Sequence, residues 1–337
     1  MKKVIVVSAL AMLAAFSAGA QMMPDSTVQV IAYWDKGEKV MYKVENSTKQ
    51  IYKSGEEKVL SSSSENDCFE VVDQTDTSYV LRLTMKDVVT SSVSDPLDSE
   101  FMNDMIGRLE MDFLTDECGD LQAFNNLYSE CERVTGALPK WRDEFIKQKG
   151  HKLNSKQKER LKALTGGLAT QIGDPDALYN STVPILKNML FFHGLRLDTA
   201  KVYNVNTKID NILNHSFDAE QSFWVDPAQS DTTFVVIKGV ASLGNDTLMP
   251  YLEESVMGRL RESTADEDEF NQSWEQWLQE AVDTHLQVTF DKYWLWVIHL
   301  PSGWPTHVEI MTETKVTSDD EEIKTVSDYR LVFEDQM

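Results

Sequence analysis

Both ends of the chain alternate apolar and polar residues, while its middle repeats them at steps of three and four. Near the start the alternation is visible in Val40-Met41-Tyr42-Lys43-Val44 and in Tyr79-Val80-Leu81-Arg82-Leu83-Thr84-Met85. A period of two places successive side chains on opposite faces of a strand. The breaks at Asp35-Lys36-Gly37, Asn46-Ser47, Lys53-Ser54-Gly55 and Asp73 to Ser78 are turn-like. Long strands with short connections predict an antiparallel meander with one face on a core and one on water. Pro96 to Gly107 then reads as a short helix. Leu109, Met111 and Phe113 form a strand that returns through Leu121 and Ala123.

In the middle, Leu127, Cys131, Val134, Leu138, Trp141 and Phe145 form one stripe of an amphipathic helix. Asn125 or Asn126 caps it, Gly150 stops it, and Pro139 is expected to kink or break it. Ser155 to Thr165 predicts a second helix, with Gly166-Gly167 as the turn after it. Asp174-Pro175 opens a third, interrupted at Pro184 and ending near Gly194. Alternation resumes at Lys201 to Ile209, Phe217 to Val225 and Thr233 to Leu243. Two more helices follow, one marked by Leu248, Tyr251, Leu252 and Leu260, the other by Phe270, Trp274, Trp277 and Leu278. The acidic run Asp266 to Glu269 suits the start of that second helix. Strands at Leu286–Phe290, Tyr293–Leu300, Thr306–Thr317 and Ile323–Phe333 complete the order.

Strands, helices, strands, helices, strands is not the one-for-one alternation of a doubly wound fold. The expected class is α+β: a long, strongly curved antiparallel sheet, a half-barrel, with helical insertions on one side. Beyond Ser61 to Ser64 no low-complexity linker divides it, so residues 21–337 read as one domain with a helical insertion at about 125–194.

Phe290 to Ile310 carries three of the eight tryptophans around the turn Pro301-Ser302-Gly303-Trp304-Pro305. Trp294, Trp296 and Ile298 share one face of this expected hairpin, and Tyr293, Leu295 and Val297 the other. Both faces are apolar, so both need cover. Packed core on both sides is the plain reading. The functional one is a cavity for an apolar ligand, with Trp294, Trp296, Ile298 and Trp304 as its candidate residues.

The first twenty residues change the picture of where such a protein works. Lys2 and Lys3 precede an apolar run from Val4 to Phe16, and Ala18-Gly19-Ala20 forms an A-x-A cleavage pattern. Cutting before Gln21 leaves 337 − 20 = 317 residues, with no cysteine at the cut for a lipid anchor. No later run is long enough for a transmembrane helix. The expected location is periplasmic or extracellular.

Net charge is −23, or −25 without Lys2 and Lys3, which argues against nucleic-acid binding. One block runs the other way. Lys140 to Lys162 holds nine Lys or Arg against three Asp or Glu. It reads either as solvated helix faces or as a basic patch for anionic lipid or an acidic partner. Cys118 and Cys131 are candidates for a disulfide, with Cys68 left over. No basic neighbour marks a reactive thiol.

Candidate chemistry is sparse. No G-x-S-x-G, H-E-x-x-H, C-x-x-C or P-loop pattern occurs, and no cofactor is implied. If the hairpin turns about Gly303, His299 and His307 lie opposite each other, with Glu309 beside His307, as a weak metal candidate. An ordinary polar cross-strand pair is the competing reading. Asp25-Ser26-Thr27, Asp198-Thr199-Ala200, Asp231-Thr232-Thr233 and Asp246-Thr247-Leu248 match a short O-glycosylation pattern of some Gram-negative envelopes.

The signal, the opening Tyr33-Trp34-Asp35-Lys36-Gly37-Glu38 before Tyr42, the meander and the late Ser302-Gly303-Trp304-Pro305 turn resemble the periplasmic lipoprotein-carrier (LolA/LppX-like) half-barrel superfamily, in its secreted Gram-negative branch. That resemblance implies a curved sheet closed by helices around a cavity for acyl chains. The basic helical insert and the greater length depart from it, and no binding residue carries over. The expected function is therefore non-enzymatic binding of a lipid or lipidated partner in the envelope. The alternatives are a solid-core interaction module and, third, an envelope hydrolase.

Overall fold

A computed structural model describes residues 26–91, 95–149, 153–213, 215–264 and 266–336. The export signal expected over 1–20 lies outside the described residues. Strand β1 (Thr27–Gln29) pairs with β7 (Arg196–Asp198) as a small antiparallel ribbon. The remaining strands are β2 (Lys39–Tyr52), β3 (Glu57–Thr75), β4 (Ser78–Thr90), β5 (Met111–Asp116), β6 (Leu121–Phe124), β8 (Val202–Ile212), β9 (His215–Val225), β10 (Phe234–Leu243), β11 (Gln287–His299), β12 (Pro305–Thr317) and β13 (Glu322–Gln336). They form one 11-stranded sheet in the order β6-β5-β4-β3-β2-β13-β12-β11-β10-β9-β8. Every pairing is antiparallel, and the edge strands β6 and β8 do not meet, so the sheet is open.

The last strand, β13, inserts between β2 and β12, joining the N-terminal and C-terminal meanders edge to edge. That pairing also overrides two local signals. Asn46-Ser47, expected to be a turn, lies inside β2, where Asn46 is held between Ser63 and Tyr329. The serine run 61–64 is not a linker but the middle of β3, paired with Glu45 to Thr48. Ladder bonds on both sides outweigh the turn preference of Asn and Ser. Likewise Asp291-Lys292 does not split β11, because both residues pair with β10 and β12.

Helices α1 (Pro96–Ile106), α2 (Leu127–Lys149), α3 (Ser155–Ile172), α4 (Pro175–Leu190), α5 (Asn245–Ser263) and α6 (Glu267–Asp283) pack on one side of the sheet. Asp95 and Asp174 cap α1 and α4 ahead of a proline in the first turn, and Asp266 caps α6 by accepting from Asp268 and Glu269 N–H. Three expected breaks are absent, one of them at Pro184, which lies inside the continuous helix α4. Helix α2 continues through Pro139, since Val134 and Leu138 before it and Phe145 after it are all anchored in the core. Helix α3 runs through Gly166-Gly167, because Leu161, Thr165, Leu168 and Ile172 extend one buried stripe past the exposed glycines.

The core lies between these helices and the sheet. Val40, Tyr42 and Val44 of β2, Phe69 and Val71 of β3, Leu81 and Leu83 of β4 and Leu331 of β13 are buried on the covered face at period two. Beyond them the strands outrun the helices. Glu57 to Ser62 is exposed throughout, and cross-strand pairs such as Lys49–Glu57 (3.0 Å) and Lys315–Glu322 (2.9 Å) stitch this far end.

Candidate functional site

Strand β11 sets the geometry, because its two apolar faces meet different surroundings. Trp294, Trp296 and Ile298 point to the helix side and are buried. The chain leaving α4 supplies their cover. Phe192 meets the Trp296 ring edge-to-face at 4.7 Å, Phe191 stacks on it at 6.2 Å, and Phe223 packs on Phe192. The Trp296 indole N–H donates to the Asn188 carbonyl at 2.7 Å, so its polar atom is satisfied as well.

Trp304, the fourth tryptophan-site candidate, is buried elsewhere. Its ring stacks on Trp34 at 4.3 Å and its N–H donates to Glu38 at 3.0 Å. Tyr33 N–H donates to the Ser302 carbonyl, so the two segments that carry the family resemblance touch each other. Gly303 makes this possible. At φ +77° a Cβ would stand 2.3 Å from the Ile31 carbonyl oxygen, a distance no side chain tolerates. His193 closes the cluster, with its ring nitrogens 2.9 Å from the Gly303 carbonyl and 3.2 Å from that of Leu190. Burial lowers its pKa to about 4, so the ring is neutral and only one nitrogen donates.

Among the described residues no helix lies over the opposite face of β11. Register places Trp224, Val240, Tyr293, Leu295 and Met311 together on β9 to β12. They line an open hollow of about 600 Å³, with Lys238 in register between Trp224 and Leu295 and Glu309 beside Leu295. Tyr293 remains 41% exposed there. Lys238 is tied to Asp226 at 2.7 Å and Glu309 to Arg330 at 3.1 Å, which leaves the apolar floor free of unpaired charge.

A second hollow lies on the helix side, beyond the aromatic cover. Ile209, Ile212 and Leu213 at the tip of β8 and Phe290, Lys292, Thr312 and Ser327 on β11 to β13 line a cavity of about 420 Å³. In a flat sheet β8 and β13 would stand five strand spacings apart, roughly 24 Å. One small cavity touching both therefore requires the sheet to curl toward its helix side. Lys292 is turned into this trough, with its ammonium 4.9 Å from the Trp294 ring. Burial lowers its pKa, and Asp210 partly counters that.

Further along the same face, Tyr42 and Asp67 are cross-strand partners, and Tyr329 stands nearby. The two hydroxyls and Asp67 Oδ1 are buried without a hydrogen-bond partner among the described residues. Burial, aided by Glu65, pushes the Asp67 pKa up to about 8, so the carboxyl is protonated at neutral pH. Nothing in the sequence pattern flagged this group. Its signal was a lone Asp at an inward-facing position beside the core residue Phe69.

The remaining candidates are placed as follows. The hairpin reverses about Pro301-Ser302 rather than Gly303, with His299 N–H bonded to the Trp304 carbonyl and Ile298 opposite Pro305, so His307 faces Val297 rather than His299. His307 lies 3.4 Å from Glu309, which Arg330 already holds, and His299 bonds Ser302 at 2.8 Å. Among the described residues no three His, Cys, Asp or Glu side chains converge as a metal site. All three cysteines are free thiols, with Cys118 in the β5–β6 turn and Cys131 buried on α2. In the basic block, Arg142 pairs with Asp143, Lys149 with Glu100, and Arg160 with Asp95 and Asp98, while Lys147, Lys156, Lys158 and Lys162 are exposed. No helix among the described residues is long and apolar enough to cross a membrane.

Comparison with known proteins adds little. No family model matches the chain, and no curated protein matches it. Among solved structures it is similar to one described as "Lipid-protein interactions in lipovitellin", at 9% identity and a TM-score of 0.39. The likeness covers 90% of this chain and 26% of that one, so the chain spans about a quarter of that protein's length. At that score the likeness carries no argument.

Proposed function

We propose that this is an exported, non-enzymatic envelope protein, periplasmic or extracellular, that binds an apolar ligand on its curved sheet. The ligand class is a lipid acyl chain or a lipid-modified partner. The observation that carries this reading is the uncovered apolar hollow at Trp224, Val240, Tyr293, Leu295 and Met311. Its size lies within the range of small-molecule sites, about 300–1,000 Å³. Exposed apolar surface interleaved with tied-up charges is an unusual use of a sheet face unless something covers it. The signal pattern before Gln21 supports export.

A second reading is a solid-core interaction module, favoured by the tight aromatic packing over Trp296. A neutral apolar fluorophore, N-phenyl-1-naphthylamine, separates the two. Binding should be saturable, displaced by a long-chain alcohol and lost in Leu295→Lys. A wild-type titration with no saturable signal would leave the interaction module standing.

A further inference from the structure

The trough on the helix side has a chemistry that the open hollow lacks. Lys292 sits on β11 in register with Thr312 on β12, which is itself in register with Ser327 on β13. One line across three strands thus presents an ammonium and two hydroxyls, at the strand spacing of roughly 4.8 Å, the Ser327 hydroxyl also being bonded to that of Thr48 at 3.0 Å. In a chain with 55 acidic residues against 32 basic ones, a cation facing inward would be expected to carry a carboxylate partner. Among the described residues Lys292 has no carboxylate within 4 Å. Its contact is the Trp294 ring, and the nearest opposing charge acting on it is Asp210. Asp210 is engaged by the Ser216 hydroxyl. Beside this polar line, Ile209, Ile212, Leu213 and Phe290 form an apolar wall of the same cavity.

We propose that this trough binds a single-chain anionic amphiphile, with its carboxylate, sulfate or phosphate head on Lys292, Thr312 and Ser327 and its chain along Phe290 and the tip of β8. The physical reasoning is complementarity. An anionic head supplies the partner that a half-buried ammonium lacks, and charge-assisted hydrogen bonds are stronger than neutral ones in a partly dry site. Among the described residues Asp210 is the one carboxylate lining the trough, and it opposes such a head. The site is separate from the open hollow, because Lys292 and Leu295 project from opposite faces of β11.

The test is calorimetric titration of the full-length protein with dodecanoate, dodecanol and inorganic phosphate, each below its aggregation limit. Dodecanoate should bind at least about tenfold tighter than dodecanol, the size expected for one charge-assisted contact, and phosphate alone should give no heat. Lys292→Met should bring dodecanoate down to the level of dodecanol, Lys292→Arg should retain the preference, and Asp210→Asn should tighten binding. Leu295→Lys, which disables the open hollow, should leave dodecanoate affinity unchanged, so failure of one site is distinguishable from failure of the other. Equal affinity of dodecanoate for wild type and Lys292→Met would overturn the proposal. Phosphate binding as tightly as dodecanoate would make the trough a free-anion site and overturn the amphiphile. Should Lys292→Met fail to fold, an unchanged affinity in Asp210→Asn overturns it instead.

Discussion

The two faces of strand β11 have nearly the same sequence character and opposite fates. On one side Trp294, Trp296 and Ile298 are roofed by Phe191, Phe192 and Phe223, with even the indole N–H bonded. On the other, Tyr293, Leu295 and Val297 run beneath no helix among the described residues, and their neighbours Trp224, Val240 and Met311 complete an open hollow. The difference shows that alternation decides which residues travel together and not what meets them. Cover is a property of the chain as a whole, here of where α4 ends. The side whose apolar surface is closed by the protein itself contributes stability. The side left open is where a ligand reading has to be placed.

That contrast breaks most sharply on truncation. Trp296→Ala removes a buried ring that touches two phenylalanines, and should lower unfolding stability by about 3–5 kcal/mol in urea melts. An unchanged midpoint would mean that the helix-side packing is not formed. Next in size is the pH response of the buried acid. The folded pKa of Asp67 is raised above its unfolded value of 3.8, to about 8. Its contribution is therefore fully present below pH 3.8 and is lost as pH rises toward and through 8. Asp67→Asn should remove that alkaline loss, so the variant gains stability relative to wild type as pH climbs from 6 to 9. Parallel curves for the two proteins across that window would contradict the assigned burial. His193 works in the opposite direction. Its pKa is depressed from 6.5 to about 4, so stability should fall on acidification through that interval, and His193→Gln should flatten the fall. The smallest stability effect belongs to the open face. Leu295→Lys should shift unfolding by no more than about 0.5 kcal/mol, the range of surface substitutions. A large loss would mean that the hollow is core after all.

Much of the sheet was legible in the sequence, because period-two runs such as Tyr79 to Met85 need only local pattern to be recognised. What was not legible depends on distant partners. Asn46-Ser47 and Ser61 to Ser64 look like breaks until β13 is placed against β2 and β3 against its other edge. Gly166-Gly167 looks like a turn until Leu168 and Ile172 extend the buried stripe. The His299–His307 pairing failed because the chain reverses about Pro301-Ser302 and not about Gly303, a difference of one residue in the turn that spacing does not announce. The Trp34–Trp304 stack and the Glu38–Trp304 bond, 266 residues apart in the chain for the latter, are invisible to any local reading. Lys292 was hidden for a different reason. A lysine inside an alternating run is ordinarily read as facing water, and only the curl of the sheet turns this one toward a cavity.

The central claim is that the uncovered face of β11 carries an apolar ligand. Native mass spectrometry of the protein purified from the cells that make it, paired with organic extraction of the same sample, tests it most directly. A bound mass that matches an extracted lipid, present in wild type and absent in Leu295→Lys, is the predicted result. A spectrum holding only the bare polypeptide mass, with no lipid in the extract, would contradict it.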